Sequence, residues 1–244
     1  MNTQGNAYTI IYSSIMVILV AAALSFTALT LKPRQDKNIE VEKKQNILTS
    51  VHIGLDADQQ SDKAGYIESL YNKYITEAFL VDSKGDRIDG DAFTVDIKKE
   101  IGKPLENRQL PVFVCTNDQN IKNYILPVYG SGLWGAIWGY VAVQDDFNTV
   151  VGVMFDHASE TPGLGAEIST PPFQKQFDGK KLFDEEKFVS VKVVKGQNTT
   201  ENPHAVDGIS GGTITSNGVE QMLSECLSGY LEFFKSQKND QYEQ

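Results

Sequence analysis

The stretch from Tyr8 to Leu31, "YTIIYSSIMVILVAAALSFTALTL", carries no charge, and none precedes it, since the first charged residue in the chain is Lys32. A helix needs roughly 20 apolar residues to cross a bilayer, and this run exceeds that length. A cleaved signal peptide competes for the same segment, but it wants a basic n-region, a shorter apolar core and a small-residue cleavage site. No Lys or Arg precedes this span and its core is long, so residues 1–31 are expected to form a retained, single-pass transmembrane anchor. Lys32, Arg34 and Lys37 follow the span. By the positive-inside rule alone, they would leave the remainder of the chain in the cytoplasm.

Beyond the anchor the chain is acidic, with Lys+Arg 22 against Asp+Glu 32 and a formal net charge of -10. An acidic surface repels nucleic acid and anionic headgroups, so no nucleic-acid partner is expected. Residues 32–48 read as a charged connector, helical or extended, residues 49–238 as one soluble domain, and residues 239–244 as a polar tail. Cys115 lies in the apolar run "PVFVC" and Cys226 on an apolar helix face, far apart in sequence. Both read as buried thiols rather than ligands of a metal.

Within the domain, "DKAGYIESLYNKYI" has helical spacing, and "TEAFLVDSKGDRI" reads as strand, turn, strand. Strands follow at "LPVFVCT", "NYILPVYG", "WGYVAVQDD" and "VVGVMFDH", each short, β-branched or aromatic, and bounded by turn residues. A short amphipathic stretch at "PPFQKQFDG" and a strand at "KFVSVKVVK" come next. Apolar residues from Val219 to Phe234 then recur with helical period, and Asn217 with Glu220 has capping-box spacing. The last helix is therefore expected to begin after Asn217. Strands in the centre and helices toward both ends predict an α+β domain with a central, mostly antiparallel sheet flanked by helices.

The segment ahead of that helix, "DGISGGTITSNG" from Asp207, concentrates glycine, hydroxyl and acid side chains. It is open to three readings: a plain loop with a cap, a phosphate cradle, or a hydroxyl that is itself modified. A helix N-terminus offers unpaired N–H groups and partial positive charge to a phosphate. Gly208, Gly211 and Gly212 allow close backbone approach, and Ser210, Thr213, Thr215 and Ser216 supply hydroxyls. The segment is neither a P-loop, which needs Gly-Lys-Ser/Thr, nor a dinucleotide fingerprint, which needs a βαβ unit. Two further loops stand out. "FDHASETPGLGAEI" carries an irregular Pro162-Gly163-Leu164-Gly165 core, and "PVYGSGLWGAIWGY" sets Trp134 and Trp138 beside bare backbone. Large apolar side chains next to exposed amides suit a flat conjugated ring. His157 and His204 flank these loops without a partnered nucleophile in a recognisable spacing, so structural or surface roles are expected and no catalytic residue or metal site is assigned.

Together "DGISGGT", "HASETPGLG" and "YGSGLWG", behind one N-terminal span, resemble the C subunit of the sodium-translocating NADH:quinone oxidoreductases, over essentially the whole chain. In that family the pattern Asp, two residues, Ser or Thr, Gly, Ala, Thr carries FMN on its last threonine through a phosphoester bond. Asp207, Ser210, Gly211 and Thr213 match it, and Gly212 stands where the family usually has Ala. The resemblance thus implies covalent FMN on Thr213, with Thr215 as the fallback acceptor. It also implies that Glu160, Thr161, Gly163 and Leu164 lie along the isoalloxazine and that Trp134 closes the site.

The resemblance further implies an electron-relay subunit of a sodium-pumping oxidoreductase, not catalytic alone. Its expected partners are the other subunits, a flavin transferase and the membrane. It places a single-pass protein in the bacterial cytoplasmic membrane with its flavin domain on the outer, periplasmic side, against the charge rule, which counts most for short loops. The G subunit of the related Rnf electron-transport complex shares the motif and is the near alternative. A membrane-anchored module that binds flavin noncovalently, without electron transfer, is the alternative from a different class.

Overall fold

A computed structural model describes residues 5–196 and 199–242. The uncharged run and the charged connector form one helix, α1 (Asn6–Thr49), which continues through Pro33. Of the two conformations open to the connector, it is helical. Among the described residues α1 is the one helix long and apolar enough to cross a membrane. Its apolar side chains, Ile18 and Phe26 among them, are exposed. The chain divides into two compact units, Met1–Lys43 and Lys44–Gln244.

The second unit continues with α2 (Lys63–Tyr74), β1 (Ile75–Val81), β2 (Arg87–Ile88), α3 (Ile97–Ile101), β3 (Leu110–Thr116), β4 (Lys122–Ser131), β5 (Ala136–Gln144) and β6 (Val150–His157). Then follow α4 (Pro171–Gln174), β7 (Phe183–Asp184), β8 (Lys187–Phe188), β9 (Lys192–Val194), β10 (Ala205–Asp207), α5 (Thr213–Ser228) and α6 (Leu231–Tyr242). The first six strands make one sheet in the order β2-β1-β3-β4-β5-β6, with every neighbouring pair antiparallel. The fold is α+β, as the clustering of strands implies.

Side chains in a strand alternate between faces, and here both faces are covered. From β3, Val112 and Val114 enter a core that includes Val219, Met222, Leu223, Cys226 and Leu227 of α5 and Phe233 and Phe234 of α6. Phe113 and Cys115 enter a second core that includes Ile47 and Val51. This explains why β3 reads as a continuous apolar run instead of an alternating one. Ile47 and Leu48, in the stretch read as a connector, are fully buried.

Three sequence expectations are corrected. The last helix starts at Thr213, with Gly212 as its N-cap, so Asn217 lies inside it and caps nothing. Glu220 does not reach back to a cap either, because its carboxylate accepts the Val193 N–H at 2.8 Å and ties α5 to β9. Nor is the helix continuous to Phe234: it ends at Ser228 and α6 resumes at Leu231. Tyr230 between them is fully buried and donates its hydroxyl to the Pro111 carbonyl at 2.9 Å. The strand expected at "KFVSVKVVK" is split at Ser190, whose φ of 58 turns the chain. One piece pairs with β7, and the other, β9, pairs in parallel with β10.

Candidate functional site

The three glycine loops meet at the N-terminus of α5. The first, between β4 and β5, closes with the Gly132 N–H on the Gly135 carbonyl at 2.8 Å and projects Trp134, whose side chain is largely exposed. The second, after β6, runs through Glu160, Thr161, Gly163 and Leu164. The third joins β10 to α5 and holds Ser210, Gly211 and Gly212.

The third loop is tied to β9 and to α5. The Gly208 N–H donates to the Val194 carbonyl at 2.7 Å, and the Ile209 N–H to Ser216 Oγ at 3.0 Å. Gly211 then turns the chain with a φ of 77, a region that a side chain at this position would strain. Helix hydrogen bonding begins with the Ser216 N–H on the Gly212 carbonyl at 2.9 Å. Gly212, the N-cap, has no side chain to cap this end of α5. Among the described residues no side chain accepts from its first-turn N–H groups, which carry partial positive charge beside the exposed residues Ser210 and Thr213.

Thr213 and Thr215 differ sharply. Thr213, the first residue of α5, is exposed, whereas Thr215 is 1% exposed and donates its hydroxyl to Glu160 Oε2 at 2.7 Å. Glu160 is itself buried, and its other oxygen, Oε1, accepts the Trp134 N–H at 2.8 Å. The Glu160 N–H in turn donates to His157 Nδ1 at 3.2 Å, and Ser159 Oγ donates to the Trp134 carbonyl at 2.9 Å. Thr161 is exposed, with its carbonyl accepting from Leu164 and Ala166, and Gly163 has a φ of 75. Leu164 contacts Gly211: a Cβ on that glycine would lie 2.7 Å from Leu164 Cδ2.

Leu133, Trp134 and Leu164, on the loops, and Ile214, in the first turn of α5, are exposed large apolar side chains. Leu133 and Ile214 escaped the sequence reading. Residue type alone does not separate an apolar side chain at a loop tip from one in the core. Asp207 closes β10, with its N–H on Gln176 Oε1 at 2.8 Å and its Oδ1 buried without a hydrogen-bond partner among the described residues. His204 Nδ1 lies 2.9 Å from the Lys181 carbonyl.

A helix N-terminus whose N-cap is a glycine, an exposed threonine at its first residue and a rim of exposed apolar side chains fit a phosphate joined to a flat apolar ring. The protein class with this arrangement is the FMN-binding domain, whose family model matches residues 132–228, from the Trp134 loop to the end of α5. The chain is 35% identical over 226 residues to the C subunit of the Na(+)-translocating NADH-quinone reductase of Vibrio vulnificus, covering 86% of each chain. It is 34% identical over 256 residues to the same subunit from Haemophilus ducreyi, covering 96% of this chain and 95% of that protein. The crystal structure of this subunit from Parabacteroides distasonis superposes with a TM-score of 0.75 at 44% identity, covering 84% of this chain and 96% of the other. The chain belongs to the family formed by the C subunits of Na(+)-translocating NADH-quinone reductases.

Proposed function

We propose that this protein is a membrane-anchored electron-relay subunit that carries FMN as a phosphoester on Thr213. The observation that carries the reading is the contrast within one helical turn: the Thr213 side chain is exposed at the uncapped start of α5, and the Thr215 hydroxyl is buried on Glu160. Thr213 Oγ takes a flavin phosphoryl group from a flavin dinucleotide donor. The P–Oγ bond forms as the pyrophosphate P–O bond breaks, a nucleoside monophosphate leaves, and the hydroxyl proton is released. The net addition is one FMN less one water.

Once bound, FMN supplies acceptance and donation of electrons. The protein's residues hold and screen it. The first-turn N–H groups of α5 would face its phosphate charge. Leu164 and Trp134 would flank its ring, and Thr161 and Gly163 would offer backbone along its edge. Asp207 and Ser210 shape the approach to the acceptor.

The relatives are named as subunits of a reductase that moves sodium and joins NADH to quinone. By extension this chain works beside other subunits of such a complex and receives its flavin from a separate transferase. α1 anchors it in the cytoplasmic membrane as a single span, and the flavin domain lies on the outer side. Denaturing-gel flavin fluorescence tests the covalent reading. Full-length protein produced with a flavin transferase is expected to give a fluorescent band that disappears in Thr213→Val, and an equally bright Thr213→Val band would refute the site.

A further inference from the structure

We propose that Glu160 is a positioning residue that fixes which threonine of the first α5 turn is offered for modification, an inference that rests on the flavinylation reading above. Glu160 is 5% exposed, and its carboxylate joins two segments distant in sequence. Oε2 accepts from Thr215 Oγ1 at 2.7 Å, and Oε1 accepts from the Trp134 N–H at 2.8 Å. The carboxylate has no ion-pair partner among the described residues, so its polar contacts are these bonds rather than a charge pair.

The space it occupies is made by missing side chains. A Cβ on Gly165 would lie 2.2 Å from Glu160 Oε2 and 2.5 Å from Thr215 Oγ1, and a Cβ on Gly132 would lie 2.4 Å from Oε1. One glycine from each of the first two loops therefore admits the carboxylate. A buried carboxylate that lost these donors would be costly, so the bracket favours a single arrangement of the three segments. On a helix, residues two apart point in different directions, about 200° apart. Holding Thr215 inward against Glu160 therefore turns Thr213 outward. The same carboxylate sets the Trp134 backbone that carries the exposed indole.

Two measurements on the full-length chain in detergent test this. The first needs no flavin. In the unloaded protein the Trp134 amide should be protected from hydrogen exchange although its indole is exposed, and Glu160→Leu should speed its exchange by about tenfold, the equivalent of one hydrogen bond. A Trp134 amide that exchanges in the wild type as an unprotected loop amide would overturn the bracket.

The second is flavin transfer with purified transferase and flavin dinucleotide, with peptide mass spectrometry to locate the product. Thr215→Val should lower kcat for transfer to Thr213 by about 100-fold, the scale of a small misplacement of a reacting group, with KM for the protein unchanged. Thr215→Ser, which keeps the hydroxyl and drops the methyl, should restore most of the rate. Wild-type kcat in a folded Thr215→Val variant, or failure of Thr215→Ser to recover, would overturn the proposal. Wild-type loading and its absence in Thr213→Val report separately on the acceptor assignment. If the wild type takes no flavin, that assignment falls while the amide exchange still judges the bracket.

Discussion

Thr213 and Thr215 show how little residue type says about availability, because both are threonines in one helical turn and only Thr213 faces solvent. The glycines and hydroxyls around Thr213 stood out in the sequence, but their spacing left three readings open, and only the family resemblance singled out Thr213. The partner that buries Thr215 was not, since Glu160 lies 55 residues away in sequence and Trp134 a further 26 from Glu160. No local pattern brings those three together. The cysteines were legible as buried thiols because Cys115 sits in an apolar run and Cys226 on an apolar helix face. Burial pushes both up to about 11 from an ordinary 9.0, although for Cys226 the Tyr129 backbone bond works in the opposite direction. A group raised in the folded state holds its proton longer there than in the unfolded chain. Its contribution is thus full below the unfolded value and lost as pH climbs toward the folded one. Stability should therefore fall between about pH 9.0 and pH 11, at up to about 1.4 kcal/mol per unit per thiol. Urea unfolding across that window, in wild type against Cys115→Ala/Cys226→Ala, should show the slope lessened in the variant. Equal slopes would refute it.

At the level of elements, strands and helices were found where periodicity was strong, and boundaries were misplaced where glycine served packing instead of a turn. Gly218 is the clearest case. Read as part of a loop, it moved the expected start of α5 past Asn217, yet it lies inside the helix, and a Cβ there would sit 2.3 Å from the Ser131 carbonyl oxygen. The glycine is what lets α5 lie directly on the end of β4, which in turn brings the helix N-terminus to the Trp134 loop. Gly218→Ala meets rigid backbone, so it should destabilise the domain by about 1–3 kcal/mol and lower its melting temperature by roughly 3–10 °C. Calorimetry would check this, and an unchanged melting temperature would contradict the close approach. The break between α5 and α6 was hidden for a related reason: Tyr230, Phe233 and Phe234 keep the apolar rhythm across it. Phe233, fully buried against Phe79, Tyr124 and Phe147, should cost about 3–5 kcal/mol when changed to Ala. A loss below that range in urea titration would mean that the aromatic cluster repacks.

For the whole molecule, an uncharged run followed by an acidic α+β domain was plain in the sequence, because long-range composition survives without knowledge of contacts, whereas the class of site came from the family resemblance of its loops. Sheet order was not, since pairing partners are set by packing of both faces. The two units give a test of anchoring. Full-length protein should float with liposomes through a density gradient, whereas a chain begun at Lys44, which keeps Ile47, Leu48 and Val51, should remain in the soluble fraction. Flotation of the shorter chain would place the membrane contact elsewhere. The central claim, that Thr213 carries the flavin, is tested most directly by the intact mass of the denatured full-length protein made with a flavin transferase, beside Thr213→Val. The account predicts a gain of one FMN less one water in the wild type and none in the variant. Unmodified wild type, with the transferase proven active on another substrate, would contradict it.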